Sequence, residues 1–126
     1  GEFINFENLS SNPKPVNGSV PIHIGGHSEA AAKRAGRIGD GFFPATGNMA
    51  ELMDMARQAA ADSGRDPEAL DMTGVHPGIF GDDPAAAVEE AASWGIHRLV
   101  VPAFMFIGKS DDEVGAKLQG FADRVM

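Results

Sequence analysis

Two short runs in this sequence carry residue types suited to holding an anion. Ile24-Gly25-Gly26-His27-Ser28 follows a β-branched stretch and precedes a helical one, and Pro44-Ala45-Thr46-Gly47-Asn48 sits in the same relation to its neighbours. Glycine lets backbone approach a ligand closely, and the N-terminus of the following helix offers unpaired N–H groups and the positive end of its dipole. Gly25, Gly26, His27, Ser28, Thr46, Gly47 and Asn48 are therefore the candidate seat for a phosphate- or sulfate-sized group, with the amides of Gly26 and Gly47 as expected donors. Each run has a plainer explanation as well. A Gly-Gly pair satisfies a tight strand-to-helix turn, and Thr46 or Asn48 serves as a helix cap. Two similar donor-rich turns close together argue more strongly for a ligand than either does alone.

Two further strand ends carry weaker signals. His76-Pro77-Gly78 puts an imidazole where it would touch substrate or move a proton, although packed histidines are commoner. In Phe104-Met105-Phe106-Ile107-Gly108-Lys109, Phe106 would wall a ring-binding pocket and Lys109 would meet an anion. Ordinary packing, with Lys109 solvated beside Asp111 and Asp112, accounts for that run equally well. His76 and Phe106 are the candidate substrate-binding residues, and no catalytic residue is assigned. His23 alternates with Ile22 and Ile24, so it faces the other side of its strand as a core or interlayer residue. His97 opens a strand and is given no chemistry, and Glu89-Glu90 reads as a solvated helix face. No spacing resembles a metal site, a catalytic triad or a phosphate-binding loop of the Walker type, and the absence of cysteine excludes thiolate ligands, thiol nucleophiles and disulfides.

The elements that must position these residues alternate along the chain. Val20–Ile24, Phe42-Phe43, Asp71–His76 and His97–Phe104 read as strands. Helices follow them: from Ser28 to about Arg37, with Ala31, Ala32, Ala35 and Ile38 on one face; from Asn48 to Asp62, with Leu52, Met53, Ala56, Ala59 and Ala60; from Asp83-Pro84 to Ser93; and from the Ser110/Glu113 capping box toward Val125, with Val114, Leu118, Phe121, Ala122 and Val125 on a stripe. Gly64 and Gly95 stop two of them. Residues 1–19 form a polar, proline-punctuated arm and residues 20–126 the folded domain. Strand–helix alternation implies parallel strands with right-handed crossovers. A (β/α)8 barrel needs about 250 residues, so the 126 residues here predict an α/β half-barrel of four βα units. The alternative, an open flavodoxin-type sheet, requires helices on both faces.

Composition sets the outer bounds. At 43% hydrophobic and 22% charged residues, the chain can build one core. A net charge of −8 argues against nucleic acid as a partner, because phosphate backbones select for lysine and arginine. There is no apolar run long enough to span a bilayer and no signal-peptide pattern, which leads to the expectation of a cytoplasmic protein. The chain starts Gly-Glu-Phe without an initiator methionine, which suggests processing or a piece of something longer.

The stretches Pro13-Lys14-Pro15-Val16, Val20–Ala31 and Arg34-Ala35-Gly36-Arg37-Ile38-Gly39-Asp40-Gly41-Phe42-Phe43-Pro44 resemble the bacterial luciferase-like monooxygenase family. Gly64-Arg65-Asp66-Pro67 and Trp94–Val101 fit its C-terminal part, so the resemblance covers essentially the whole chain. It implies strands five to eight of a (β/α)8 barrel whose members bind FMN or the deazaflavin coenzyme F420 and transfer hydride or activate oxygen. It also implies that the Gly25-Gly26 and Thr46-Gly47 turns help hold the cofactor phosphate. The first four strands of the family are absent, so the expected function is the phosphate-binding part of an oxidoreductase, inactive alone. The alternative is a truncated, non-catalytic half-barrel that folds, self-associates and at most binds an anion without catalysing a reaction. Open strand edges lead to the expectation of a homodimer with a mainly apolar interface.

Overall fold

The computed structural model describes residues 2–108 and 110–125, so a role for Lys109 lies outside the described residues. The elements alternate as β1 (His23–Gly25), α1 (Glu29–Ile38), β2 (Gly41–Phe43), α2 (Met49–Asp62), β3 (Asp71–Gly74), α3 (Pro84–Ser93), β4 (Arg98–Leu99) and α4 (Asp111–Val125). The 3-10 turns Pro67–Ala69, Pro77–Phe80 and Ala103–Phe106 fill the longer connections. All neighbouring strands are parallel, and the sheet order is β1-β2-β3-β4. A flavodoxin-type sheet reverses its strand order and takes helices on both faces. Here the order is sequential, and α1, α2 and α3 all pack onto the face that carries Phe42 and Met72. This is the α/β arrangement of consecutive barrel units.

The strands are shorter than their sequence pattern. β1 begins at His23, not Val20. Pro21 has no N–H to donate, and the Ile22 N–H donates to the Asp40 carboxylate (2.8 Å) in place of a neighbouring strand. β3 stops at Gly74, because the chain bends at His76 into the turn that starts with Pro77. β4 is reduced to Arg98–Leu99; after Val100 donates to Gly74 O (2.8 Å), Pro102 ends the ladder.

Helix boundaries follow their caps. The side chains of Ser28, Asn48, Asp83 and Ser110 accept from the backbone amides of Ala31, Glu51, Ala86 and Glu113. α1 and α2 meet through small residues. A side chain on Gly36 would collide with the Ala56 carbonyl and the Ala59 methyl, so only glycine permits this approach. Arg65 closes the C-terminus of α1, donating to Gly36 O (2.5 Å) and Gly39 O (2.6 Å). Ile38 was expected on the buried face of α1 but is 67% exposed, since Gly39 and Asp40 turn the chain away directly after it. The α4 stripe contributes no fully buried residue; Phe121 packs instead against Phe80 and Phe106. Residues 2–19 hold no regular element and are largely exposed. Among the described residues no helix is long and apolar enough to cross a membrane.

The helix-free face of the sheet carries polar and charged side chains alongside Phe43. His23, Gly41 and Asp71 stand in register there, with Thr73 and Arg98 one pair further along. Asp71 Oδ2 lies 2.7 Å from Arg98 Nη2 and 3.6 Å from His23 Nε2. A side chain on Gly41 would strike the His23 ring, so this glycine leaves the imidazole room to lie across the strand. His97 is used after all, though structurally: its Nδ1 accepts the Met72 N–H (3.1 Å) while its own N–H donates to Met72 O (2.8 Å).

Candidate functional site

The β1 and β2 strands are adjacent and in register, Gly25 opposite Phe43, so the turns that follow them open side by side. Gly26 has φ +139 and a Cβ there would sit 2.8 Å from the Ala31 methyl; glycine is required for the chain to enter α1. Its N–H donates to Phe43 O (3.2 Å), so the Gly26 amide is held by the sheet and its part in a ligand site is conformational. The free donors lie downstream, in the first turn of α1, where N–H groups lack intrahelical partners and Ser28 Oγ takes that of Ala31 (3.3 Å). Glu29 in that turn is drawn along the helix to Lys33 (3.1 Å) and leaves the α1 N-terminus open to another anion.

The second turn differs. Gly47 has φ +81, and a Cβ on it would meet nothing within 4 Å; the same openness holds at Gly25. A side chain at either position would project into open space, so the backbone is accessible at both glycines. Thr46 is exposed beside them. Asn48, however, is engaged in a reciprocal cap: its Oδ1 accepts from Glu51 N (3.3 Å) and its Nδ2 donates to Glu51 Oε2 (2.9 Å). Glu51 thus already supplies an anion to the α2 N-terminus. The pair of turns is asymmetric, with α1 offering the dipole and the Thr46-Gly47 segment offering a hydroxyl and open backbone.

His76 and Phe106 do not join this group. The His76 ring is 7% exposed. It stacks on Trp94 with centroids 4.9 Å apart, its Nδ1 accepts the Gly78 N–H (3.1 Å), and its Nε2 lies 3.3 Å from Glu90 Oε2, off the line of a hydrogen bond. Glu90, read from sequence as merely solvated, is the counter-group of this histidine. Phe106 is buried in an edge-to-face contact with Phe121, centroids 5.3 Å apart, two strands away from β2. A residue that sequence reasoning passed over is Trp94, the single tryptophan. It lines a cleft of about 160 Å³ with Gly47, Asn48, Met49 and Ala50, and so links the second turn to His76 behind it. Its signal was a large amphipathic ring immediately before the Gly95 helix stop.

Comparison with known proteins adds to this geometry. A family model described as luciferase-like monooxygenase matches residues 1–125. The F420-dependent glucose-6-phosphate dehydrogenase of Mycolicibacterium smegmatis is 30% identical over 99 residues, covering 75% of this chain and 29% of that protein. The enzyme of the same description from Mycobacterium avium is 31% identical over the same shares. This chain therefore spans under a third of the length of these relatives. Among solved structures, the coenzyme F420 dependent tetrahydromethanopterin reductase from Methanopyrus kandleri aligns with a TM-score of 0.51 at 17% identity, covering 99% of this chain and 40% of that one.

Proposed function

This chain belongs to the luciferase-like monooxygenase family, and from that premise we propose that it is the part of an F420-dependent oxidoreductase that seats the phosphate of the cofactor. The observation that carries the reading is the pair of glycine turns on adjacent parallel strands, opening beside the N-terminus of α1. The names of the relatives favour F420 over FMN, since each is described as F420-dependent. When bound, the cofactor would supply hydride transfer. The chain's own residues would bind and orient: the first-turn amides of α1 and the Thr46 hydroxyl would donate to phosphate oxygens, and Gly25 and Gly47 would let the group approach the backbone. Electrostatic preorganisation needs groups on all sides of a reacting centre. A four-unit half-barrel supplies one wall, and the remaining length of an enzyme like the relatives would supply the others.

The test is a titration of the chain with inorganic phosphate and then F420, followed by amide NMR. Saturable shifts at His27, Glu29 and Gly47 are expected, with tighter binding for F420; no shift at these amides overturns the reading. The chain alone should show no F420-linked turnover, and measured turnover would refute the claim that it holds only one wall.

A second reading, self-association, is favoured by the two open strand edges, β1 and β4, and by Ile22 and Phe104, which are 58% and 67% exposed. Sedimentation equilibrium decides this: a clean 13.2 kDa monomer at high micromolar concentration would rule the dimer out.

A further inference from the structure

A concavity of about 250 Å³ lies away from the turns discussed above, on the outer surface between α1 and α2. We propose that it is a binding site for a small aromatic carboxylate. Its lining combines the apolar Met55 and Ala59 with polar and charged side chains. Most of these polar groups already have partners: Lys33 Nζ is 3.1 Å from Glu29 Oε2, Asp62 Oδ1 accepts from Gln58 Nε2 (2.8 Å), and Ser63 Oγ donates to Ala59 O (2.8 Å). Arg37 is the exception. Its guanidinium makes no hydrogen bond or ion pair within the described residues, although the chain as a whole carries eight excess negative charges.

The helix C-termini nearby would ordinarily repel an anion. Here they are partly covered. Arg65 occupies the carbonyls of Gly36 and Gly39, and the amides of Ser63 and Gly64 cover Ala60 O and Ala61 O. Arg37 is therefore left as a planar fork of donors in the lining of a partly apolar hollow, the arrangement that takes a carboxylate through two parallel hydrogen bonds. The hollow falls just below the usual range of about 300–1,000 Å³ for drug-sized ligands, which limits the occupant to a single ring. A ring suits the apolar part of the lining, since the Met55 thioether adapts to an aromatic edge. Asp62, also in the lining, disfavours a compact dianion such as phosphate. Arg37 is in the last turn of α1 and Ser28 caps its first, about 15 Å away along a helix of this length, so this site and the proposed phosphate seat would fill independently.

Benzoate is the probe, titrated against the full chain with methyl and amide NMR. Saturable shifts are expected at the Met55 and Ala59 methyls and at Arg37 Nε, with millimolar affinity. Arg37→Gln should weaken binding at least about fivefold, and benzyl alcohol should bind the unaltered chain at least about fivefold more weakly than benzoate. Arg37 is exposed, so an unchanged amide spectrum outside α1 would verify that the variant folds. Absence of saturable shifts at Met55 up to about 20 mM benzoate, or equal binding by Arg37→Gln, overturns the proposal.

Discussion

On the side of the sheet covered by helices, Phe42 and Met72 are fully buried beneath α1, α2 and α3. One residue back along the same strands, on the opposite side, stand Gly41 and Asp71, and Asp71 holds Arg98 and faces His23. Because strand side chains alternate, a shift of one position separates a closed apolar core from a layer holding charged groups. The contrast teaches where the stability of this chain resides. The apolar side removes large side chains from water and sets the fold. The polar side contributes partly solvated ion pairs, worth little by themselves.

The comparison can be broken by substitution. Phe42→Ala should cost the most, about 3–5 kcal/mol as expected for a buried phenylalanine, read as a lowered urea midpoint. Arg65→Met should cost about 2 kcal/mol, by stripping charge-assisted bonds from the α1 carbonyls. His97→Ala removes the acceptor for the Met72 amide and should cost about 1 kcal/mol. Arg98→Met should cost less than about 1 kcal/mol, and the loss should shrink as salt is raised. If Arg98→Met proved as damaging as Phe42→Ala, the distinction between the two faces would fail. A double-mutant cycle of Asp71→Asn with Arg98→Met would sharpen it by isolating the pair itself.

The helices were legible because their signals are local. Ser28, Asn48, Asp83-Pro84 and Ser110/Glu113 mark their starts through side chains that reach only three residues along the chain. The strands were legible in place and order but not in extent, since a strand ends where its neighbour stops pairing. Nothing near Ile22 announces that a carboxylate eighteen residues away will take its amide. The polarity of the helix-free face emerges only after pairing, when His23, Asp71 and Arg98 arrive from three separate strands. At the candidate site, the positions of the glycine turns could be read from the strand–turn–helix pattern. The commitment of the Gly26 amide to Phe43 and the burial of His76 against Trp94 could not, because both depend on what lies across the sheet or between helices.

The Gly36 contact bears on how this chain comes apart. With α1 pressed against α2 where no side chain can intervene, and with Arg65 tying the end of the second unit back to the first, the first two βα units cannot open separately. The fourth unit has a two-residue strand and a helix without a fully buried residue. Native-state hydrogen exchange should therefore divide the molecule into a slow block from β1 through α2 and a fast one from β4 onward, with the Met72 amide, held by an imidazole of the fourth unit, exchanging at the boundary between them.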